Sequence, residues 1–296
     1  MMRPIARTLR FSAAALLAAT LLAAPAVADG MLARGRVAAP APAPEARPCT
    51  LSANAALASE YVFRGVSQTS EGLAIQGGFD ATCGSFYAGV WASNLDWGPA
   101  LTPGADGDFN TASWASIELD SYAGFKGKLG RFAWDLGVIY YAYPNSTRNV
   151  FFFDDGFNRF RNDYVELKAG AGVDLWKDGT LGVTGFYSPD YQYETGTVWT
   201  LEVGFTQAFQ AYWGVTPTIS ALYGHQWGNN NDYAARIANG DDNYSYWNAG
   251  VTLGFLEKWS LDLRYWDTDL NGSNDFCNGN YFQCDSRFVA TLKFTY

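Results

Sequence analysis

The sequence predicts an all-β fold, a transmembrane antiparallel up-and-down β-barrel of about 12 strands with short periplasmic turns and long external loops. Three observations predict it: apolar residues alternate with polar ones, short connections alternate with long ones, and aromatic residues are abundant, with 11 Trp, 18 Tyr and 20 Phe in 296 residues. Hydrophobic residues make up 48% of the chain, yet its mean hydropathy is −0.12. The apolar residues are therefore interleaved, which excludes a helical membrane protein built from runs of about 20 apolar residues.

Residues 1–28 have the layout of a cleaved secretory signal peptide. A basic start is followed by an apolar stretch at Phe11–Leu22 and a small-residue cleavage site at Ala26–Ala28. An anchoring helix is the alternative, but this apolar stretch is too short to span a bilayer. Residues 29–48 are rich in Ala and Pro and predict a disordered leader, so the barrel is expected at 49–296.

From Leu51 to Tyr296, apolar residues recur at every second position, the period that places them on one face of a strand. In the last segment, for example, Phe288, Ala290 and Leu292 share one face. Twelve such segments are expected, at 51–62, 72–82, 85–95, 112–125, 131–143, 162–175, 180–189, 196–209, 213–226, 244–256, 259–269 and 287–296.

The connections between these segments alternate in length. Those after even-numbered strands are short, whereas most of those after odd-numbered strands are long and rich in Asp, Asn and Gly, as at 96–111 and 227–243. A soluble β-sandwich remains the alternative, but it has no reason to keep its long loops at one end. Short periplasmic turns and long external loops are typical of outer-membrane barrels, so we expect an outer-membrane location.

Charged residues fall on the face opposite the apolar one. Isolated carboxylates are costly to bury, so this face is expected to line a lumen in which they meet water or one another. The predicted pore-lining residues are Glu60, Arg64, Asp80, Glu118, Asp120, Asp135, Glu166, Lys168, Glu202, Asp262 and Arg264. Acids outnumber bases, so an open lumen would favour cations. Alternatively, large side chains close the lumen into a packed cylinder, with Tyr122, Tyr141, Phe186 and Trp266 as candidates.

Glu60 and Arg64 flank the top of the first predicted strand, close enough to act together. One hypothesis places them in a charged ring at a pore constriction, where opposed charges select solutes. The other makes them a structural pair that pins the first hairpin, because an unpaired charge in a barrel is costly. The sequence leaves both open.

The four cysteines suit disulfides in an exported protein. Three pairings exist, and we favour Cys49–Cys83 and Cys277–Cys284, the first at one end of a hairpin and the second closing a small loop. A cysteine metal site lacks the usual spacing. Asp267, Asp269, Asn271 and Asp275 resemble half of a calcium loop, but position twelve is Asn278 rather than Glu, so a polar hairpin loop is preferred. No cofactor is expected.

Twenty Lys and Arg against 29 Asp and Glu give a formal charge of −9, which argues against a nucleic-acid partner. His225 is the sole histidine and the one candidate general base. No sequence motif pairs it with a nucleophile, so no enzyme is predicted, and a barrel enzyme that acts on lipid or peptide is the weaker alternative. Beside Trp227, the imidazole suits a membrane-interface position.

The stretch Ser52–Asn94 contains Glu60-Tyr61-Val62-Phe63-Arg64-Gly65 and Gln76-Gly77-Gly78-Phe79-Asp80. It resembles the opening of the TorF-type (Gcw-chp) family of proteobacterial proteins, which are regarded as outer-membrane porins and are otherwise of unknown function. The resemblance implies a barrel for passive diffusion of small hydrophilic solutes, in contact with outer-membrane lipid and lipopolysaccharide. The terminal aromatic Tyr296 is similar to the ending of many barrels handled by the barrel assembly machinery. A closed structural envelope barrel and a homo-oligomer stay open as alternatives.

Overall fold

The computed structural model describes residues 49–103, 109–147, 149–152, 156–159, 161–238, 241–270 and 284–296. The signal peptide predicted at 1–28 and the leader predicted at 29–48 lie outside these residues and stay predictions.

Twelve antiparallel strands form one closed barrel in which strands adjacent in sequence are also paired, and the last strand pairs with the first. This confirms the predicted fold class and strand number. The barrel strands, numbered in chain order, are β1 Thr50–Ala58, β2 Ala74–Cys83, β3 Phe86–Asn94, β4 Ile117–Leu129, β5 Phe132–Ala142, β6 Tyr164–Trp176, β7 Gly179–Ser188, β8 Val198–Ala208, β9 Val215–Gly228, β10 Asn243–Phe255, β11 Trp259–Thr268 and β12 Arg287–Thr295.

The predicted asymmetry of the connections is present. Gly84 and Gly130 lie in two-residue turns with φ of 64° and 61°, a backbone region that glycine enters without strain. Loops at the other end carry small elements of their own: the two-stranded sheets Val62–Phe63 with Val66–Ser67, Pro99–Pro103 with Phe109–Ser113 and Asn149–Phe152 with Gly156–Arg159, and the helix Asn231–Arg236. Within the described ranges, no helix has the length and apolarity needed to cross a membrane.

The predicted bounds of two strands differ from the structure by four or five residues, and those of the other strands agree within two residues. β1 ends at Ala58 rather than at residue 62, because the chain turns inward there. β4 spans Ile117–Leu129 rather than 112–125, and its turn is Gly130–Arg131 rather than the connection 126–130 left between the predicted strands. Gly127 is a strand residue, and a Cβ there would lie 2.8 Å from the indole of Trp134. This glycine makes room for a ring and does not form the turn.

The two faces of the barrel wall differ as the alternation predicts. Outward side chains are large, apolar and exposed: Leu201 and Leu263 are each 44% exposed. Outward aromatic rings lie near both strand ends, such as Phe132 and Trp259 at the short turns and Trp199 at the long loops. An apolar wall edged by aromatic rings is stable against lipid acyl chains and their headgroup interfaces.

The inward face changes along the barrel. In the half near the short turns, inward side chains such as Ser52, Asp80 and Thr82 are half-exposed. In the half near the long loops, inward side chains are buried among large rings, including Tyr141 and Tyr246, each 1% exposed. The lumen is therefore accessible from the periplasmic side and filled on the external side.

The Cys49–Cys83 disulfide is present and joins the start of β1 to the end of β2, as predicted. Cys284 is also disulfide-bonded, whereas Cys277 lies outside the described residues. The Cys277–Cys284 pairing thus stays a prediction.

Candidate functional site in the barrel lumen

The first external loop, residues 59–73, enters the lumen instead of covering the rim. Its hairpin is closed by hydrogen bonds from the Tyr61 amide to Thr69 Oγ1 (3.0 Å) and from the Gln68 amide to the Tyr61 carbonyl (2.7 Å). Gly65 has φ of 85°, and a Cβ there would lie 2.9 Å from the Cβ atoms of both Thr268 and Tyr246. Glycine therefore lets the tip of the loop lie against the barrel wall.

Arg64 at this tip is the strongest link between loop and wall. Its guanidinium donates two parallel hydrogen bonds to the Glu166 carboxylate, at 2.8 and 2.9 Å, and a third to Tyr191 Oη at 3.3 Å. Tyr141 Oη also donates to Glu166, at 3.2 Å. Both members of the pair are buried, so the Coulombic attraction between them is screened less than at a surface.

Two further contacts tie the loop to other strands. Glu60 accepts a hydrogen bond from the Arg287 guanidinium on β12, and Tyr61 Oη donates to Glu118 on β4 at 2.8 Å. Burial raises the pKa of Tyr61, and the neighbouring Glu118 and Asp120 carboxylates raise it further, so the phenol stays a donor. Glu60 and Arg64 thus bind different strands and do not pair with each other.

The lumen wall carries its own ion pairs. Lys168 Nζ lies 2.8 Å from Asp135, whose other oxygen accepts from Tyr87 Oη at 2.7 Å. On the opposite wall, the Arg264 guanidinium donates to Asp262, Asn248 and Ser220; the two Asp262 hydrogen bonds are 3.1 Å, and the others are 2.6 and 2.8 Å. These cations are neutralised within the wall.

Four inward acids have no ion-pair partner among the described residues. Three of them accept a hydrogen bond from a tyrosine: Asp80 from Tyr122 (2.6 Å), Glu118 from Tyr61 (2.8 Å) and Glu202 from Tyr246 (2.6 Å). The fourth is Asp120, which is fully buried and accepts no hydrogen bond from the described part of the chain. Among the described residues, the lumen therefore carries more acidic than basic side chains.

Aromatic rings close the external half of the lumen. All four rings proposed to close it, Tyr122, Tyr141, Phe186 and Trp266, are buried. Tyr141 also stacks on Tyr164 at 4.4 Å between ring centroids, and Trp97 packs on Tyr143 at 4.8 Å. A cavity of about 30 Å³ at the external mouth is lined by Phe63, Val66, Gln68, Trp97, Tyr191, Gln192, Tyr193, Ile237 and Tyr244.

The predicted pore-lining residues on the strands thus face the lumen, and Glu60 and Arg64 lie in the loop within it. Most of these side chains are buried rather than open to water. Residue alternation did not reveal the loop contacts of Tyr61, Tyr191 and Arg287. One signal was available: the apolar residues Tyr61-Val62-Phe63 in a connection that should otherwise be polar and external.

His225 faces outward, near the external end of β9. Its Nδ1 lies 3.0 Å from Ser245 Oγ, which also accepts from Tyr223 Oη at 3.0 Å, and its ring lies 5.7 Å from Trp227. This is the aromatic interface position that the sequence suggests. The lumen and His225 lie on opposite sides of the barrel wall.

The half calcium loop is divided by the limits of the described chain, since Asn271 and Asp275 lie outside it. Asp267 accepts from the Thr268 amide (2.9 Å), and Asp269 accepts from the Ser245 amide (2.7 Å). Both carboxylates therefore already accept hydrogen bonds from backbone amides. Within the described residues, no three His, Cys, Asp or Glu side chains are grouped as metal ligands.

A closed barrel of 12 antiparallel strands with an apolar outer wall and a polar lumen defines the class, a bacterial outer-membrane β-barrel. The chain belongs to the family described as "Bacterial protein of unknown function (Gcw_chp)", whose model matches residues 42–296. The family resemblance inferred from Ser52–Asn94 is thereby confirmed. No curated protein matches the sequence.

Several solved structures align with the chain at low sequence identity. The KdgM porin aligns over 83% of this chain and 99% of its own, with a TM-score of 0.46 and 8% identity. The NanC porin aligns over 83% and 98%, with a TM-score of 0.44 and 11% identity. LpxR from Salmonella typhimurium aligns over 83% and 99%, with a TM-score of 0.41 and 8% identity.

Proposed function

We propose that the protein is a narrow diffusion channel of the outer membrane. It passes small hydrophilic solutes, prefers cations, and is closed by its first loop in the conformation described above. Opening requires the loop to leave the external half of the lumen. Because the periplasmic half already contains half-exposed polar side chains, loop release would join it to the external side.

The observation that carries this proposal is the unbalanced charge of the inner wall. The lumen cations Arg64, Lys168, Arg264 and Arg287 are each paired with an acid. Four inward acids have no cationic partner among the described residues: Asp80, Glu118, Asp120 and Glu202. Carboxylates without an ion-pair partner destabilise a purely structural core, since each loses its hydration and gains no ion pair. In a water-filled passage the same carboxylates attract cations and repel anions.

A closed structural envelope barrel is the second candidate. The packed rings of the external half and the loop anchors favour it, because together they fill the lumen. The two candidates differ in whether the loop ever leaves. We propose no enzymatic role, since the outward His225 contacts Ser245 and Trp227 and lies apart from the charged lumen.

The partners of a diffusion channel follow from its surface. We propose contact with outer-membrane lipid and lipopolysaccharide along the apolar wall, and recognition of the terminal Tyr296 by the barrel assembly machinery. The small hydrophilic solute itself and homo-oligomer formation stay open within this proposal.

Planar-bilayer recording tests the ion preference. Under a salt gradient, the wild-type reversal potential should have the sign of a cation-selective pore. The double variant Asp80→Asn/Glu202→Gln removes two unpaired lumen charges and should move the potential toward zero, whereas Glu257→Gln, an exposed turn residue, should not. Anion selectivity in the wild type, or no shift in the double variant with normal folding, would contradict the proposal.

A further inference from the structure

The inner wall holds the Arg64 side chain in a site that is shaped for a guanidinium group. Glu166 on β6 accepts two parallel hydrogen bonds from the guanidinium, of 2.8 and 2.9 Å, one at each carboxylate oxygen. Tyr191, in the loop between β7 and β8, accepts a third at 3.3 Å. A planar guanidinium matches a carboxylate in this paired geometry, whereas an ammonium group offers only a point charge.

Two further wall residues complete the site. The guanidinium carbon of Arg64 lies 5.1 Å from the ring centroid of Phe186 on β7, within the range of a cation–π interaction. Tyr141 on β5 donates a hydrogen bond of 3.2 Å to Glu166 and so holds the carboxylate in place. Glu166, Phe186, Tyr141 and Tyr191 are all buried, and together they are called the guanidinium site below.

The guanidinium site belongs to the barrel wall and not to the first loop. Three of its residues lie on barrel strands, and Tyr191 lies in a loop closed by a hydrogen bond of 2.8 Å from its own amide to the Gly196 carbonyl. The first loop contributes only the occupant. Arg64 has a φ of 49°, a backbone conformation that residues with a Cβ rarely adopt, and it inserts into the wall from there.

We propose that the guanidinium site binds solutes that carry a guanidinium group, and that Arg64 occupies it as an internal competitor in the closed conformation. A solute of this class replaces Arg64 at Glu166 and thereby favours loop release. The inference rests on the proposed channel, because a solute reaches the site along the lumen only after the loop leaves. It adds a substrate class to that channel.

The competition is between one tethered guanidinium and a free one. A tethered group acts at an effective concentration in the millimolar range when its linker is short and flexible. A free guanidinium therefore binds more readily once Arg64 is removed. Binding is measured without solute flux, as the stability of a variant whose site is vacant.

The first experiment is chemical rescue of Arg64→Ala in detergent. Ethylguanidinium reproduces the arginine side chain beyond Cβ, and about 10 mM is far below the molar concentrations at which guanidinium salts denature proteins. It should raise the thermal midpoint of Arg64→Ala, because it restores the charge that Glu166 loses. N-ethylurea has the same shape without the charge and should bind at least about tenfold more weakly.

Two variants control for other effects of the ligand. Arg64→Ala/Glu166→Gln lacks the carboxylate and should show no rise with ethylguanidinium. Arg161→Ala removes an arginine whose side chain is 63% exposed and pairs with Glu194 on the surface, so its midpoint should not respond either. If Arg64→Ala does not fold by itself, its refolding yield in the two compounds replaces the midpoint as the readout.

The second experiment uses the wild-type protein. Proteoliposomes are given labelled arginine or lysine at equal micromolar concentration; both carry one net positive charge at neutral pH, so cation preference alone does not separate them. Uptake of arginine should be several-fold faster than uptake of lysine. Arg64→Gln/Glu166→Gln lacks both the competitor and the carboxylate, and it should take up the two amino acids at similar rates.

The outcomes separate this inference from the channel itself. Equal effects of ethylguanidinium and N-ethylurea on Arg64→Ala would overturn the guanidinium site. Equal uptake of arginine and lysine by proteoliposomes that pass sugars would overturn the substrate class and leave the channel standing. Rescue by ethylguanidinium without uptake of any solute would support the guanidinium site and contradict the channel.

Discussion

The anchor of the first loop makes a quantitative prediction for Arg64→Gln. In the closed conformation, this substitution leaves Glu166 buried beside a neutral amide, with the Tyr141 hydroxyl as its remaining donor. In the open conformation, Glu166 faces a hydrated lumen and its charge costs little. The substitution therefore raises the free energy of the closed state relative to the open one.

The size of the effect follows from the burial of both partners. The side chains of Arg64 and Glu166 are 3% and 1% exposed, and removing one partner of such a buried pair costs about 3–5 kcal/mol. Since about 1.4 kcal/mol is a factor of ten, the ratio of open to closed should rise by about two to three and a half orders of magnitude. The double variant Arg64→Gln/Glu166→Gln removes both charges and should give a smaller rise.

Single-channel recording in planar bilayers measures the open fraction directly. The matched control is Arg161→Gln: its side chain is 63% exposed and pairs with Glu194 on the surface, where an ion pair contributes little. Channel openings should be longer and more frequent in Arg64→Gln than in the wild type, and the control should match the wild type. If Arg64→Gln folds normally and its open fraction equals that of the wild type, the assignment of this ion pair as the loop anchor is wrong.

Three further predictions concern the wall. Replacing Cys49 and Cys83 by Ser should lower the unfolding midpoint, with a chain-entropy cost of at most about 4 kcal/mol for the separation of 34 residues; an unchanged midpoint in calorimetry would count against a stabilising bridge. Gly224→Ala places a Cβ 2.1 Å from the Tyr246 ring and should destabilise by about 1–3 kcal/mol, whereas Gly185→Ala, with its nearest atom at 3.9 Å, should be tolerated; equal denaturation midpoints would refute this packing. His225→Ala should leave conductance unchanged, and wild-type protein should release no fatty acid or peptide in hydrolysis assays; hydrolysis lost on this substitution would instead establish an enzyme.

Strand number and facing direction follow from local sequence because a barrel wall has a strict two-residue period. Trp199, Leu201 and Val203 had to share one environment and Glu202 the other, whatever the partners across the sheet. The structure places the first three outward and exposed and Glu202 inward and buried. Such a pattern needs no knowledge of distant residues.

The path of the first loop could not be predicted in this way. Arg64 and Glu166 are separated by 102 positions, and nothing local to either residue identifies the other. Their meeting depends on barrel diameter and on the space that Gly65 leaves beside Thr268 and Tyr246. For the same reason the sequence offered a charged ring or a hairpin pair, whereas Glu60 and Arg64 in fact bind β12 and β6.

The turn after β4 shows a smaller limit of the same kind. Gly127 and Gly130 are equally plausible turn residues in sequence, and only the packing of Trp134 distinguishes them. Local propensity therefore identifies a turn region, and side-chain contacts fix its position within it.

Sugar uptake by proteoliposomes tests the channel proposal most directly, because only an open lumen passes neutral solutes. Liposomes containing wild-type protein should swell in small sugars, at rates that fall as the sugar grows, and Arg64→Gln should swell faster. If neither protein causes swelling beyond protein-free liposomes while both are folded and inserted, the lumen does not open. The barrel would then be a closed structural element of the envelope.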